Sequence, residues 1–149
     1  MKLGMLLSLL FGLFISSSNL IAHCQIPCGI YADDVVFGEL NTDVATIEKA
    51  MTQINALKAD VGKDPHQLVR WVNNKEAHAQ NIQDTMSAYF LAQRIKLDLK
   101  QSDAKKYSSL VELAHKITVL AMKCKQGTDL ANAEALHVAL HDFNQAYNG

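Results

Sequence analysis

Four stretches of this chain repeat apolar residues at alternating spacings of three and four, and that period limits the fold class more than any other feature. The first stretch runs from about Asn41-Thr42-Asp43 to Val61. Val44, Ile47, Met51, Ile54, Leu57 and Val61 form its seam, and Gly62-Lys63 closes it. The second opens on Asp64 as N-cap, Pro65 at the first helical position and Gln67 as a capping-box partner. Its seam is Leu68, Val72, Ala79, Ile82, Met86 and Tyr89. The third starts near Ser102-Asp103, carries Tyr107, Leu110, Ala114, Ile117, Ala121 and Cys124, and stops at Gly127. The fourth starts at Asp129, with Ala133, Leu136, Leu140, Phe143 and Tyr147 on one side. Connections are short and no strand-like alternation competes. The expectation is an all-α protein, an antiparallel four-helix bundle over about 41–149. Val69 and Trp71 lie off the second seam and fit either a subunit contact or a bundle edge partly covered by Trp71.

The start of the chain has a different character. Met1-Lys2 is a short positive segment, residues 3–15 are apolar and uncharged, 16–19 are polar, and Ala22 precedes His23. This is the anatomy of a secretory signal peptide, with an apolar core shorter than the roughly 20 residues a membrane span needs. The expected cut by signal peptidase follows Ala22. It leaves residues 23–149 as one domain, exported to the periplasm or the exterior, with no stable membrane association after cleavage. An uncleaved anchor is the competing reading. The formal net charge is −1, and the leader carries one of the 14 basic residues and none of the 15 acidic ones. No basic block is present, which argues against nucleic acid as a partner.

Cleavage after Ala22 would make His23 the first residue of the run His23-Cys24-Gln25-Ile26-Pro27-Cys28-Gly29-Ile30-Tyr31. A free α-amine, an imidazole, the Cys24 amide and two thiols would then lie within six residues. Thiolates are soft ligands, and a terminal amine helps a neighbouring deprotonated amide to chelate. Amine, amide and two thiolates give a planar set suited to Ni(II) or Cu(II) rather than tetrahedral zinc, with the His23 imidazole available along the axis. Pro27 fixes φ and helps turn Cys28 back toward Cys24, and Gly29 permits a tight path afterwards. Two other readings share these residues. In an oxidising compartment Cys24 and Cys28 could close a local disulfide in a secreted helical binding protein. The same donors could also serve an exported metal carrier without turnover.

The run resembles the nickel hook of nickel-containing superoxide dismutases, H-C-x-x-P-C-G-x-Y, at all six specified positions: His23, Cys24, Pro27, Cys28, Gly29 and Tyr31. The resemblance implies a four-helix bundle preceded by a metal-binding hook at 23–31, one nickel ion per subunit, and assembly as hexamers. It implies dismutation of superoxide to oxygen and hydrogen peroxide by Ni(II)/Ni(III) cycling. His23, Cys24 and Cys28 would hold the metal, and His23 and Tyr31 would act in catalysis. Glu39, sixteen residues after His23, would hydrogen-bond the axial imidazole. Arg70, shortly after Asp64-Pro65-His66, would assist that network, and Tyr89, followed by Phe90, would lie near the metal. This chain departs from the family pattern in three places. Gln25 stands where many members have Asp, His78 falls near the place of a second family Arg, and an apolar secretory signal replaces a short leader.

The remaining reactive side chains have plainer readings. Cys124, on the third seam, is expected to be a buried small hydrophobe. His137 and His141 have a spacing that can hold zinc, but with no third ligand nearby they read as a solvated or interface pair. Met51 and Met86 read as core fillers. Lys63, Arg70 and Lys75 are candidates for a positive field that would draw an anionic substrate.

Overall fold

A computed structural model describes residues 33–60, 62 and 64–149. Among these there is no strand, and four long helices account for most of the chain. Helix α1 is Asp33–Leu57, followed by a 3-10 turn at Lys58–Asp60. Helix α2 is Pro65–Asp84 and runs on without a break into a π-helical segment, Thr85–Arg94. A one-turn helix, α3 (Leu99–Ser102), leads into α4 (Ala104–Gln126), and α5 is Leu130–Asn148.

Hydrogen bonds between helices fix their directions. Asp33 meets Tyr89 and Tyr147, whereas Asp43 meets His78, and Asn55 meets Thr128 just before α5. Lys75 reaches Cys124, and Gln83 reaches Thr118. Each pair of numbers runs in opposite senses, so α1 is antiparallel to α2 and α5, and α2 is antiparallel to α4. The four long helices thus form a ring around one core, the bundle expected from the periodicity.

Local sequence explains the helix starts. Asp64 Oδ1 accepts from the Gln67 N–H at 3.0 Å with Pro65 beside it, Asp103 Oδ1 accepts from the Lys106 N–H at 2.9 Å, and Asp129 Oδ1 accepts from the Ala131 N–H at 3.0 Å. The predicted seams are mostly the buried faces. Ile47, Met51, Ile82, Met86, Ile117, Leu136, Leu140 and Phe143 are fully buried. At the end of the bundle where α1 begins, Phe37, Phe90, Phe143 and Tyr147 pack together with ring centroids 4.9–6.1 Å apart.

Three expectations need correction. The first helix is already formed at Asp33 rather than near residue 41, because Val36, Phe37 and Leu40 extend its buried face by two turns. Asn41-Thr42-Asp43 is therefore helix interior, and Asp43 is buried. At its other end the α-helix gives way after Leu57, before the predicted Val61. Finally, Val72 is exposed and Lys75 takes the buried place on that part of α2. Helix α4 ends at Gln126, opposite Lys75, so it does not cover Val72. Val69 is exposed as well, and Trp71 is half-buried beside Gln67, Arg70 and Asn74.

Candidate functional site

The residues expected to hold metal, His23, Cys24 and Cys28, lie outside the described residues, as does Tyr31. What the bundle shows is the ground onto which that segment leads. Only Ala32 separates Tyr31 from Asp33, and Asp33 is the centre of the densest polar cluster in the described chain.

The Asp33 carboxylate accepts from three side chains brought by two other helices. Tyr89 donates its hydroxyl to Oδ1. Arg94 donates from Nη2 to Oδ2 at 2.5 Å, and Tyr147 donates its hydroxyl to the same oxygen at 2.7 Å. Arg94 Nε also donates to the Tyr147 hydroxyl oxygen at 3.0 Å, and its guanidinium carbon lies 5.9 Å from the centre of the Tyr89 ring. Burial pushes the Asp33 carboxyl up, but the three hydrogen bonds and the Arg94 charge outweigh it and hold the group below its ordinary value. Burial, then the bond to Asp33, pushes the Tyr89 phenol up to about 12, and the same causes raise Tyr147. The bond to Asp33 keeps Arg94 firmly protonated.

The π-helical segment makes this convergence possible. Tyr89 and Arg94 are five residues apart, which on an α-helix would point them about 140° from each other. Hydrogen bonds that skip five residues bring such a pair onto one side, and π-helical turns of this kind recur at functional sites.

A second polar strip lies between α1 and α2. His78 Nδ1 and Asp43 Oδ1 are 2.6 Å apart, and Asn81 Nδ2 donates to Asp43 Oδ2 at 2.6 Å. The carboxylate is buried and the imidazole half-buried, and Asp43 holds the His78 ring by Nδ1. Glu39, one turn before Asp43 on α1, is exposed.

The predicted outer residues are therefore only partly brought together. Glu39 and Tyr89 lie in the half of the bundle where α1 begins. Arg70 is exposed in the first turns of α2, roughly 25–30 Å along that helix from Tyr89. Lys75 contributes no exposed positive charge, since it is 3% exposed and donates to the last carbonyl oxygens of α4. Lys63 lies outside the described residues. His137 and His141 are exposed, and His141 pairs with Gln145. Among the described residues no group of three or more His, Cys, Asp or Glu side chains could hold a metal ion. Sequence reading missed Asp33, Asp43, Arg94 and the polar role of Tyr147. Asp33 carried one usable signal, an acidic residue placed two positions after the end of the hook.

Against known families, the family model for nickel-containing superoxide dismutase matches residues 18–149, nearly the whole chain. The chain belongs to the nickel-containing superoxide dismutase family. Membership makes it an oxidoreductase with nickel as its cofactor and superoxide as its substrate. No curated protein and no solved structure gives a significant match. For this family member the donor chemistry fits the metal. Among the described residues there is no cluster of ligands, while the sequence of 23–28 supplies one imidazole and two thiols, donor types that suit a thiolate-rich nickel site.

Proposed function

We propose that this chain is an exported enzyme that dismutates superoxide at a hook formed by residues 23–31. The match over 18–149, with all six specified hook residues in place, carries the reading. The α-amine and imidazole of His23, the amide and thiolate of Cys24 and the thiolate of Cys28 would hold the ion. Nickel so bound supplies alternating one-electron oxidation and reduction, which turns two superoxide ions and two protons into oxygen and hydrogen peroxide.

The protein's own part is to expose the His23 amine by cleavage after Ala22, to keep the thiols ligated, and to order substrate and protons near Tyr31. Glu39 would orient the His23 imidazole. Tyr89 would act through Asp33, to which its hydroxyl is already bound. Arg70 lies far along α2 from these residues.

The test is superoxide decay, followed by pulse radiolysis, for two nickel-loaded forms, one beginning at His23 and one retaining Ala22. Fast decay confined to the His23 form supports both the enzyme and its maturation. Bound nickel without turnover in either form would mean a carrier. Failure of both to bind nickel, with a mass two hydrogens lower, would mean a Cys24–Cys28 disulfide.

A further inference from the structure

The cluster around Asp33 is more elaborate than a helix start requires. An acidic residue in the first turn needs only the helix's own N–H groups and dipole to be well placed. Here the Asp33 side chain, 14% exposed, is instead directed at three donors from the ends of two other helices. Burying an ion pair is poor value as a source of stability alone, since desolvation offsets most of the attraction. What such a pair does supply is a defined position. Two of the Asp33 donors are themselves set in the aromatic group, Tyr147 against Phe37, Phe90 and Phe143 and Tyr89 against Phe90, so they stand on close-packed ground. The π-helical segment, a departure from ordinary helix geometry, is what lets Tyr89 and Arg94 reach one carboxylate.

Chain length limits how far the hook can lie from this point. Five peptide steps join Cys28 to Asp33, which at full extension span at most about 18 Å. We propose that Asp33, locked by Tyr89, Arg94 and Tyr147, is a positioning residue for the hook, fixing the point at which the chain of residues 23–32 joins α1. The proposal rests on the hook reading given above. Asp33 touches no reacting atom in this account. It acts by holding the base of the segment that does.

The experiment compares the nickel-loaded mature chain with Asp33→Asn, Arg94→Lys and Tyr147→Phe. Asn55→Ala is the control, because it removes a tie between α1 and Thr128 at the opposite end of the bundle. Three quantities are read: the nickel–thiolate absorption and electron paramagnetic resonance spectra, kcat and KM separately, and hydrogen exchange of the peptide covering 23–32. Asp33→Asn and Arg94→Lys are expected to keep one nickel per chain but to shift the spectra, speed exchange in 23–32 and lower kcat by about ten- to a hundredfold. Tyr147→Phe, the mildest change, is expected to move all three in the same direction while the helical circular dichroism stays unchanged. The control is expected to lower the melting temperature alone.

If the cluster variants only melt earlier, with spectra and exchange as in the parent, Asp33 is a plain structural tie and the proposal fails while the hook reading stands. It fails equally if Asn55→Ala shifts the spectra as much as the cluster variants do. A parent protein that binds no nickel would overturn both.

Discussion

Lys75 donates from inside the bundle to the carbonyl oxygen of Cys124, 2.6 Å away, and to that of Lys125 at 2.5 Å. A lysine on α2 thereby satisfies the terminal carbonyls of α4, where the helix dipole also favours a cation. Glu76 lies 2.9 Å from the same ammonium. Replacing Lys75 with Met keeps the apolar stem and removes the donors. The change should cost about 1–3 kcal/mol in urea denaturation, since one buried and one partly buried acceptor lose their partner. An unchanged midpoint would show that water replaces the ammonium.

Cys124 is fully buried on α4, and burial pushes its thiol up to about 11 in spite of the nearby Lys75 charge. A thiol that stays protonated is a poor nucleophile. In a chain carrying Cys24→Ser and Cys28→Ser, Cys124 should not react with a disulfide reagent at pH 8 until denaturant is added. Cys124→Ala should keep nickel binding and activity, with a stability loss of about 1–2 kcal/mol.

The Asp33 cluster gives stability a defined pH range. The Asp33 carboxyl lies below its ordinary 3.8 in the folded chain, so its contribution is present above about pH 4 and is lost as pH falls further. Tyr89 is displaced the other way, from 10.0 to about 12, so its contribution is intact below about pH 10 and is lost as pH rises toward 12. Tyrosinate absorbance should show a late-titrating component that Tyr89→Phe reduces and that Tyr147 shares, and the acid limb of the stability curve should flatten in Asp33→Asn. A tyrosine titration centred wholly near 10 would contradict the cluster.

Gly38 lies on the exposed side of α1, and a methyl group added there meets no heavy atom within 4 Å beyond its chain neighbours and the helix's own backbone. Glycine inside a helix costs about 0.5–1 kcal/mol relative to alanine. Gly38→Ala should therefore raise the melting temperature by about 2–5 °C. No rise would mean that α1 is not continuous through this position in solution.

Helix periodicity made the bundle legible, because Ile47, Met86, Ile117 and Leu136 must share one dry interior and their spacing says so. The caps at Asp64, Asp103 and Asp129 were legible for the same reason, since each pairs with an N–H two or three residues onward. The start of α1 was hidden. Asn41-Thr42-Asp43 has the composition of a cap, and only tertiary partners show that Asp43 is held inside by His78 and Asn81. The π-helical turn has no signature in apolar spacing, so the meeting of Tyr89, Arg94 and Tyr147 on Asp33 could not be read from any one segment. The hook was the opposite case, because its chemistry lies within nine consecutive residues and needs no long-range contact to be recognised.

Asp33 is tied at three points and α1 is already wound there, so the start of α1 is fixed in register against the other helices. An additional residue in the stretch before Asp33 cannot be absorbed by sliding α1, since that would break the carboxylate from all three donors at once. It would have to be taken up within 23–32 itself. On the proposed hook, the number of residues between Cys28 and Asp33 would then be as much a part of the metal site's specification as the identity of its donors.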